Sequence, residues 1–184
     1  MKKRTLIIII ILILAVGLVF WEWPWVFKME YETQNAKDYK KCLRLVDHLP
    51  GVTEVFPKKL PASAKGDSGS NTNGNTGGAS KDVSFWCYNN MGGKKLELRF
   101  KATDDEIEEY SQNAEKNAVC YGDIDTEAVQ KSLPEYKLAQ IGKRQTVYIL
   151  NSSPYEESNF NHAKLVWVTI DEETNYISFN AEEY

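Results

Sequence analysis

The chain has 184 residues and carries 22 basic against 26 acidic side chains, a formal net charge of −4. That length is enough for one domain with a single core. An acidic balance gains no counterion-release energy on a polyanion, so nucleic acid is excluded as an expected partner.

Lys2, Lys3 and Arg4 precede an unbroken apolar run from Leu6 to Trp21, which Trp23, Pro24, Trp25, Val26 and Phe27 extend past Glu22. The run approaches the ~20 residues that a membrane span requires. Trp21, Trp23 and Trp25 fit an interfacial belt, where an indole buries its ring and keeps its N–H hydrated. A cleaved signal peptide is the competing reading, but the nearest small-x-small match, Ala15-Val16-Gly17, lies inside the apolar core. The sequence therefore predicts a single-pass protein of the cell membrane. Residues 1–5 form a cytoplasmic tail, residues 6–27 an anchor in the lipid bilayer, and residues 28–184 an extracytoplasmic domain, oriented by the positive-inside rule. From Lys28 onward there are 19 basic and 25 acidic residues, a net charge of −6.

Asn35 caps a predicted helix over residues 36–49, with Tyr39, Cys42, Leu43, Val46 and Leu49 on one face and Pro50-Gly51 as its stop. Residues 52–56 read as a short β-like run ended by Pro57. Residues 66–80 are rich in Gly, Ser, Asn and Thr and contain no large apolar side chain, so a disordered insert is expected there. The insert opens with Gly66-Asp67-Ser68-Gly69, four letters shared with the nucleophile loop of trypsin-like proteases. A serine nucleophile needs a histidine held against it and a rigid oxyanion hole. Only His48 and His162 are available, and His48 falls at a helix end, so Ser68 is read as part of the insert.

Residues 82–88 (DVSFWCY) and 94–101 (KKLELRFK) read as paired strands. Leu96, Leu98 and Phe100 alternate with Lys95, Glu97, Arg99 and Lys101, which predicts one buried and one wet sheet face. Thr103 and Glu106 form a capping box for a helix running to about Ala118, with Ile107, Tyr110, Ala114 and Ala118 inward. A shorter helix is expected over residues 126–133, capped by Asp125. Strands follow at 136–141, 145–150, 164–170 and 176–180, the last two as a hairpin. The fold class is α+β, with a mostly antiparallel sheet and two to three helices behind one N-terminal transmembrane helix.

Asp104, Asp105, Glu106, Glu108 and Glu109 lack the alternating spacing of a calcium loop, and carboxylates in a first helical turn are stabilised by the macrodipole. Asp123 and Asp125 alone do not define a coordination shell. No metal, cofactor or catalytic residue is expected. Cys42, Cys87 and Cys120 allow three single bridges and leave one thiol over, so buried free thiols and a disulfide both stay open. The loop over residues 151–162 (NSSPYEESNFNH) sets Tyr155, Phe160, Asn159 and His162 beside a strand carrying Trp167. Aromatic platforms flanked by amides hold sugars and peptides, which makes these five residues the candidate binding set.

The N-terminal anchor, the FPKKLP segment at 56–61, the DVSFWC and KKLELRFK strands and the final WVTIDEETNYISFNAEEY resemble small single-pass membrane-anchored exported proteins of Gram-positive bacteria, of the Firmicutes type. The resemblance implies an exterior domain and carries over no functional residue. The expected function is a membrane-tethered module binding a protein or an envelope glycan. The alternatives are an exported hydrolase and a structural subunit of a membrane complex.

Overall fold

A computed structural model of the chain describes residues 31–61, 83–90, 92–139, 141, 144–154 and 163–184. The described residues form a seven-stranded antiparallel sheet. The expected anchor at 6–27 and the insert at 66–80 lie outside the described residues. Among those described, no helix is long and apolar enough to cross a membrane.

The strands are β1 (Tyr31–Thr33), β2 (Val83–Asn90), β3 (Gly93–Lys101), β4 (Cys120–Asp123), β5 (Thr146–Ser153), β6 (Lys164–Asp171) and β7 (Tyr176–Glu183). Their order is β1-β2-β3-β7-β6-β5-β4, so β7 is the central strand. The β6–β7 turn is fixed by Asp171, whose Oδ1 accepts the amides of Glu173 and Thr174, both at 3.1 Å. Asn175 completes that turn at φ 59°, a left-handed conformation asparagine tolerates.

Among the described residues five short helices, rather than two to three, cover the sheet: α1 (Tyr39–Val46), α2 (Val52–Val55), α3 (Asp104–Asn117), α4 (Glu127–Ser132) and α5 (Glu135–Leu138). A 3-10 turn at Ala36–Asp38 leads into α1, and Asn35 caps that turn by accepting the Lys37 amide. The expected capping box of α3 is present in both halves, Thr103 to the Glu106 amide and Glu106 back to the Thr103 amide.

Helices α1, α2 and α3 pack on one sheet face. Tyr39, Cys42, Val46, Val52, Val55, Phe56, Ile107 and Ala114 meet Phe85, Cys87, Leu96, Leu98, Phe100 and Phe179 there. Phe179 is the hub: Phe56 meets it edge-on at 5.2 Å, Tyr110 edge-on at 5.3 Å, and Phe100 stacks on it at 5.9 Å. A β-bulge between Ile149 and Asn151 releases Leu150 from the ladder into this core. Gly51 lies directly against it, at φ 88°, where an added Cβ would sit 2.6 Å from that of Leu150.

The opposite face is covered over half its width. Val129, Leu133, Leu138 and Ile141 pack there on Val147, Ile149 and Trp167.

Two expected strands are helices. Residues 52–56 alternate poorly as a strand, since alternation would bury Glu54 and expose Val55. Helical spacing instead buries Leu49, Val52, Val55 and Phe56 together and leaves Glu54 exposed, so packing overrides β-branched propensity. The expected strand at 136–141 is replaced by α5 over Glu135–Leu138: Pro134 sets the entry, and its carbonyl accepts the amides of Lys137 at 2.8 Å and Leu138 at 3.2 Å. Strands β1 and β4, too short to show a period, were not expected. Thr126, not Asp125, occupies the N-cap position of α4, without a side-chain cap bond. His48 lies just past the end of α1, and its Nε2 is 3.0 Å from Glu183 Oε2.

Candidate functional site

On the second face α5 reaches β7 through Lys137, which bonds Glu182, while the side chains of β2 and β3 stay exposed or half-buried, and the register arranges this face in three rows. Ser84, Arg99, Ser178 and Thr169 stand side by side across β2, β3, β7 and β6. Trp86, Glu97, Asn180 and Trp167 form the next row. Tyr88, Lys95, Glu182 and Leu165 form the third. Each row runs from an exposed or half-buried end at β2 toward the wall of the helical cover, because only Val147, Ile149 and their neighbours offered an apolar surface for α4 and α5 to bury.

Where the cover steps down, a groove of about 210 Å³ opens, lined by the first row and by Glu97, Asn180 and Trp167 of the second, together with Leu98, Lys137, Ile141 and Gln145; Trp86 stands outside it, at the β2 end of the second row. Its lining mixes hydroxyl, amide and charged groups with one indole. Trp86 stacks on Tyr88 at 6.1 Å and donates its indole N–H to Glu32 at 2.9 Å. Lys95 lies over the Trp86 ring at 4.7 Å, and Arg99 over the Tyr176 ring at 4.5 Å.

A buried ion cluster underlies one end of the groove. Glu182 is 0% exposed and Lys137 3% exposed. Glu182 Oε1 accepts from Lys137 Nζ, and Lys95 Nζ approaches the same oxygen at 3.1 Å while bonding Glu97 Oε1 at 2.6 Å. The Lys137 ammonium also sits 5.2 Å from the centres of both the Tyr136 and the Trp167 rings. Burial pushes the Lys137 amine below the ordinary lysine value, with the Lys95 charge adding to the effect and Glu182 opposing it. Lys95 is also penalised by burial, but its bonds to Glu97 and Glu182 outweigh that and hold it above the ordinary value. Glu182 Oε2 is buried without a donor in ordinary hydrogen-bond geometry. The Tyr184 phenol feels the same carboxylate: burial first, and then Glu182, raise its pKa.

This arrangement supplies hydrogen-bond donors and acceptors on a rigid frame. Among the described residues the one imidazole, that of His48, is engaged with Glu183 and not with the hydroxyls of Ser84, Ser178 and Thr169. Among the described residues no three His, Cys, Asp or Glu side chains converge to hold a metal ion.

Of the expected binding set, Trp167 is described: it is 4% exposed, packs in the smaller core and shows part of its ring to the groove. Tyr155, Asn159, Phe160 and His162 lie outside the described residues. The sequence reading did not include Trp86, Asn180, Lys137 or Glu182. A signal for two of them exists, because Ser178, Asn180 and Glu182 alternate with Ile177, Phe179 and Ala181. Compared with protein-family models, curated proteins and solved structures, the chain matches none.

Proposed function

We propose that this protein is a membrane-tethered extracytoplasmic binding module whose ligand lies along the open half of the sheet. The ligand class is a polyhydroxylated chain, such as a glycan strand of the cell envelope. The observation that carries this reading is the chemistry of the three rows. Hydroxyls, the amides of Asn180 and Gln145, the Trp167 indole and the Arg99 guanidinium line the groove, while Lys95 and Lys137 are neutralised by Glu97 and Glu182. A site of this kind offers oriented hydrogen bonds and aromatic surface around the Arg99 guanidinium, which suits a polar hydroxylated ligand. An acidic domain is also kept off anionic lipid surfaces, leaving the groove free to face the envelope.

Binding is tested by co-sedimentation of the detergent-solubilised full chain with insoluble peptidoglycan, comparing the wild type with Trp86→Ala and Asn180→Ala. The expected result is retention of the wild type and at least a tenfold loss of affinity in both variants, in line with removal of a stacking surface and of a paired amide. Equal retention of all three proteins, or none of the wild type, rejects the reading.

A further inference from the structure

The first sheet face holds two cysteines that the groove does not use. Cys42 lies on the buried side of α1 and Cys87 on the buried side of β2, and both are 0% exposed in the same core. Their placement follows from how α1 lies over the sheet. One helical turn before Cys42, Tyr39 meets the ring of Phe85 edge-on at 6.0 Å, and Phe85 precedes Cys87 by one same-face step of the strand. Three helical residues advance about 4.5 Å and two strand residues about 6.8 Å, so the next pair inward is Cys42 with Cys87. Cys87 is also the group that acts most strongly on the Cys42 thiol, and both cysteines are free thiols. Cys120 is elsewhere, half-buried at β4, with its sulfur 3.4 Å from Ser132 Oγ and 3.7 Å from the Ala128 carbonyl.

We infer that Cys42 and Cys87 are a disulfide-forming pair that clamps α1 to β2, leaving Cys120 as the free thiol. Forming the bridge breaks two S–H bonds and makes one S–S bond. The two electrons and the two protons pass to a small-molecule or protein disulfide, which leaves as two thiols. The hydrogen bond to Cys87, and then burial, push the Cys42 thiol up, so little thiolate forms once α1 has docked. The bridge therefore forms while the chain is folding, and the docked dithiol is inert toward oxidants. An expected exterior domain meets such oxidants on export, but the pairing itself is independent of what the groove binds.

The test uses the full chain in detergent, unfolded and refolded in a glutathione buffer rich in glutathione disulfide, then alkylated with iodoacetamide under denaturing conditions and digested for mass spectrometry. The expected result is a Cys42–Cys87 linked peptide with Cys120 outside it, alkylated or carrying one glutathione; after reduction all three cysteines are alkylated. Three alkylated sites in the oxidising buffer, or a linked peptide containing Cys120, overturns the inference. A Cys120→Ser variant, which leaves the pair intact, serves as the second measurement. Its thermal midpoint after oxidation is expected to rise by on the order of 10 °C over the reduced form. An unchanged or lower midpoint overturns the claim that the folded geometry accommodates the bridge.

Discussion

Replacing Lys137 with methionine removes one cation from the buried carboxylate of Glu182 while keeping the length of the side chain. Breaking a buried ion pair by deleting one partner costs about 3–5 kcal/mol, because the other charge is left without compensation. Here Lys95 remains 3.1 Å from Glu182 Oε1. At an effective dielectric of about 20 a contact of that length still supplies a gross attraction of about 5 kcal/mol before desolvation is counted. The expected cost of Lys137→Met therefore falls to the lower end, about 2–3 kcal/mol. The double variant Lys137→Met/Glu182→Leu removes both charges and fills the site with apolar volume. It should return to within about 1 kcal/mol of the wild type, since Lys95 keeps Glu97 at 2.6 Å. Urea unfolding of the full chain in detergent, followed by tryptophan fluorescence, measures both. A single variant costing under about 0.5 kcal/mol would refute the reasoning, and so would a double variant less stable than the single.

Leu98→Ala should cost about 2–5 kcal/mol in the same assay, because Leu98 is 1% exposed and pairs across the ladder with Phe85 and Phe179; a near-zero value means its side chain faces outward. Glu183 gives a pH signature. Burial favours its neutral form, but the Lys94 bond at 3.1 Å and the His48 contact at 3.0 Å outweigh it and hold its pKa below the ordinary 4.5. Its contribution is therefore fully present above about pH 4.5 and is lost as pH falls through the folded pKa. The thermal midpoint of Glu183→Gln should lie below that of the wild type at pH 6 and converge with it on acidification toward pH 3. A gap that stays constant over that range would count against the ion pairs.

The hairpins were legible because alternation is itself the cause of their placement: Leu96, Leu98 and Phe100 cannot all be buried in any other register. The capping box at Thr103 was legible for a similar reason, since both of its hydrogen bonds are made within four residues. Helix α2 was not, because Val52 and Val55 are β-branched and a helix there is chosen by what lies beneath it, Leu150 and Phe179 among them. The ion cluster was hidden more deeply. Nothing near Lys137 in sequence marks it as buried, and its partner Glu182 is 45 positions away. The wet face could be read off Lys95, Glu97 and Arg99, yet where α4 and α5 stop covering it depends on packing that no local pattern encodes.

The central position of β7 also dictates the order of assembly. Strands β1 to β3 and β4 to β6 can each form hairpins as they are synthesised, but they share no ladder until β7 enters between β3 and β6. Until then each half presents an open strand edge, β3 on one side and β6 on the other, whose amides and carbonyls can pair with any strand nearby. A chain threaded outward from its N-terminus would thus emerge as two unfinished sheets, and eight residues, Tyr176 to Glu183, would weld them in a single late step that also seals Phe179 and Glu182 inside. Such a protein gains its stability all at once, after a long exposed interval in which a holding chaperone has a clear target.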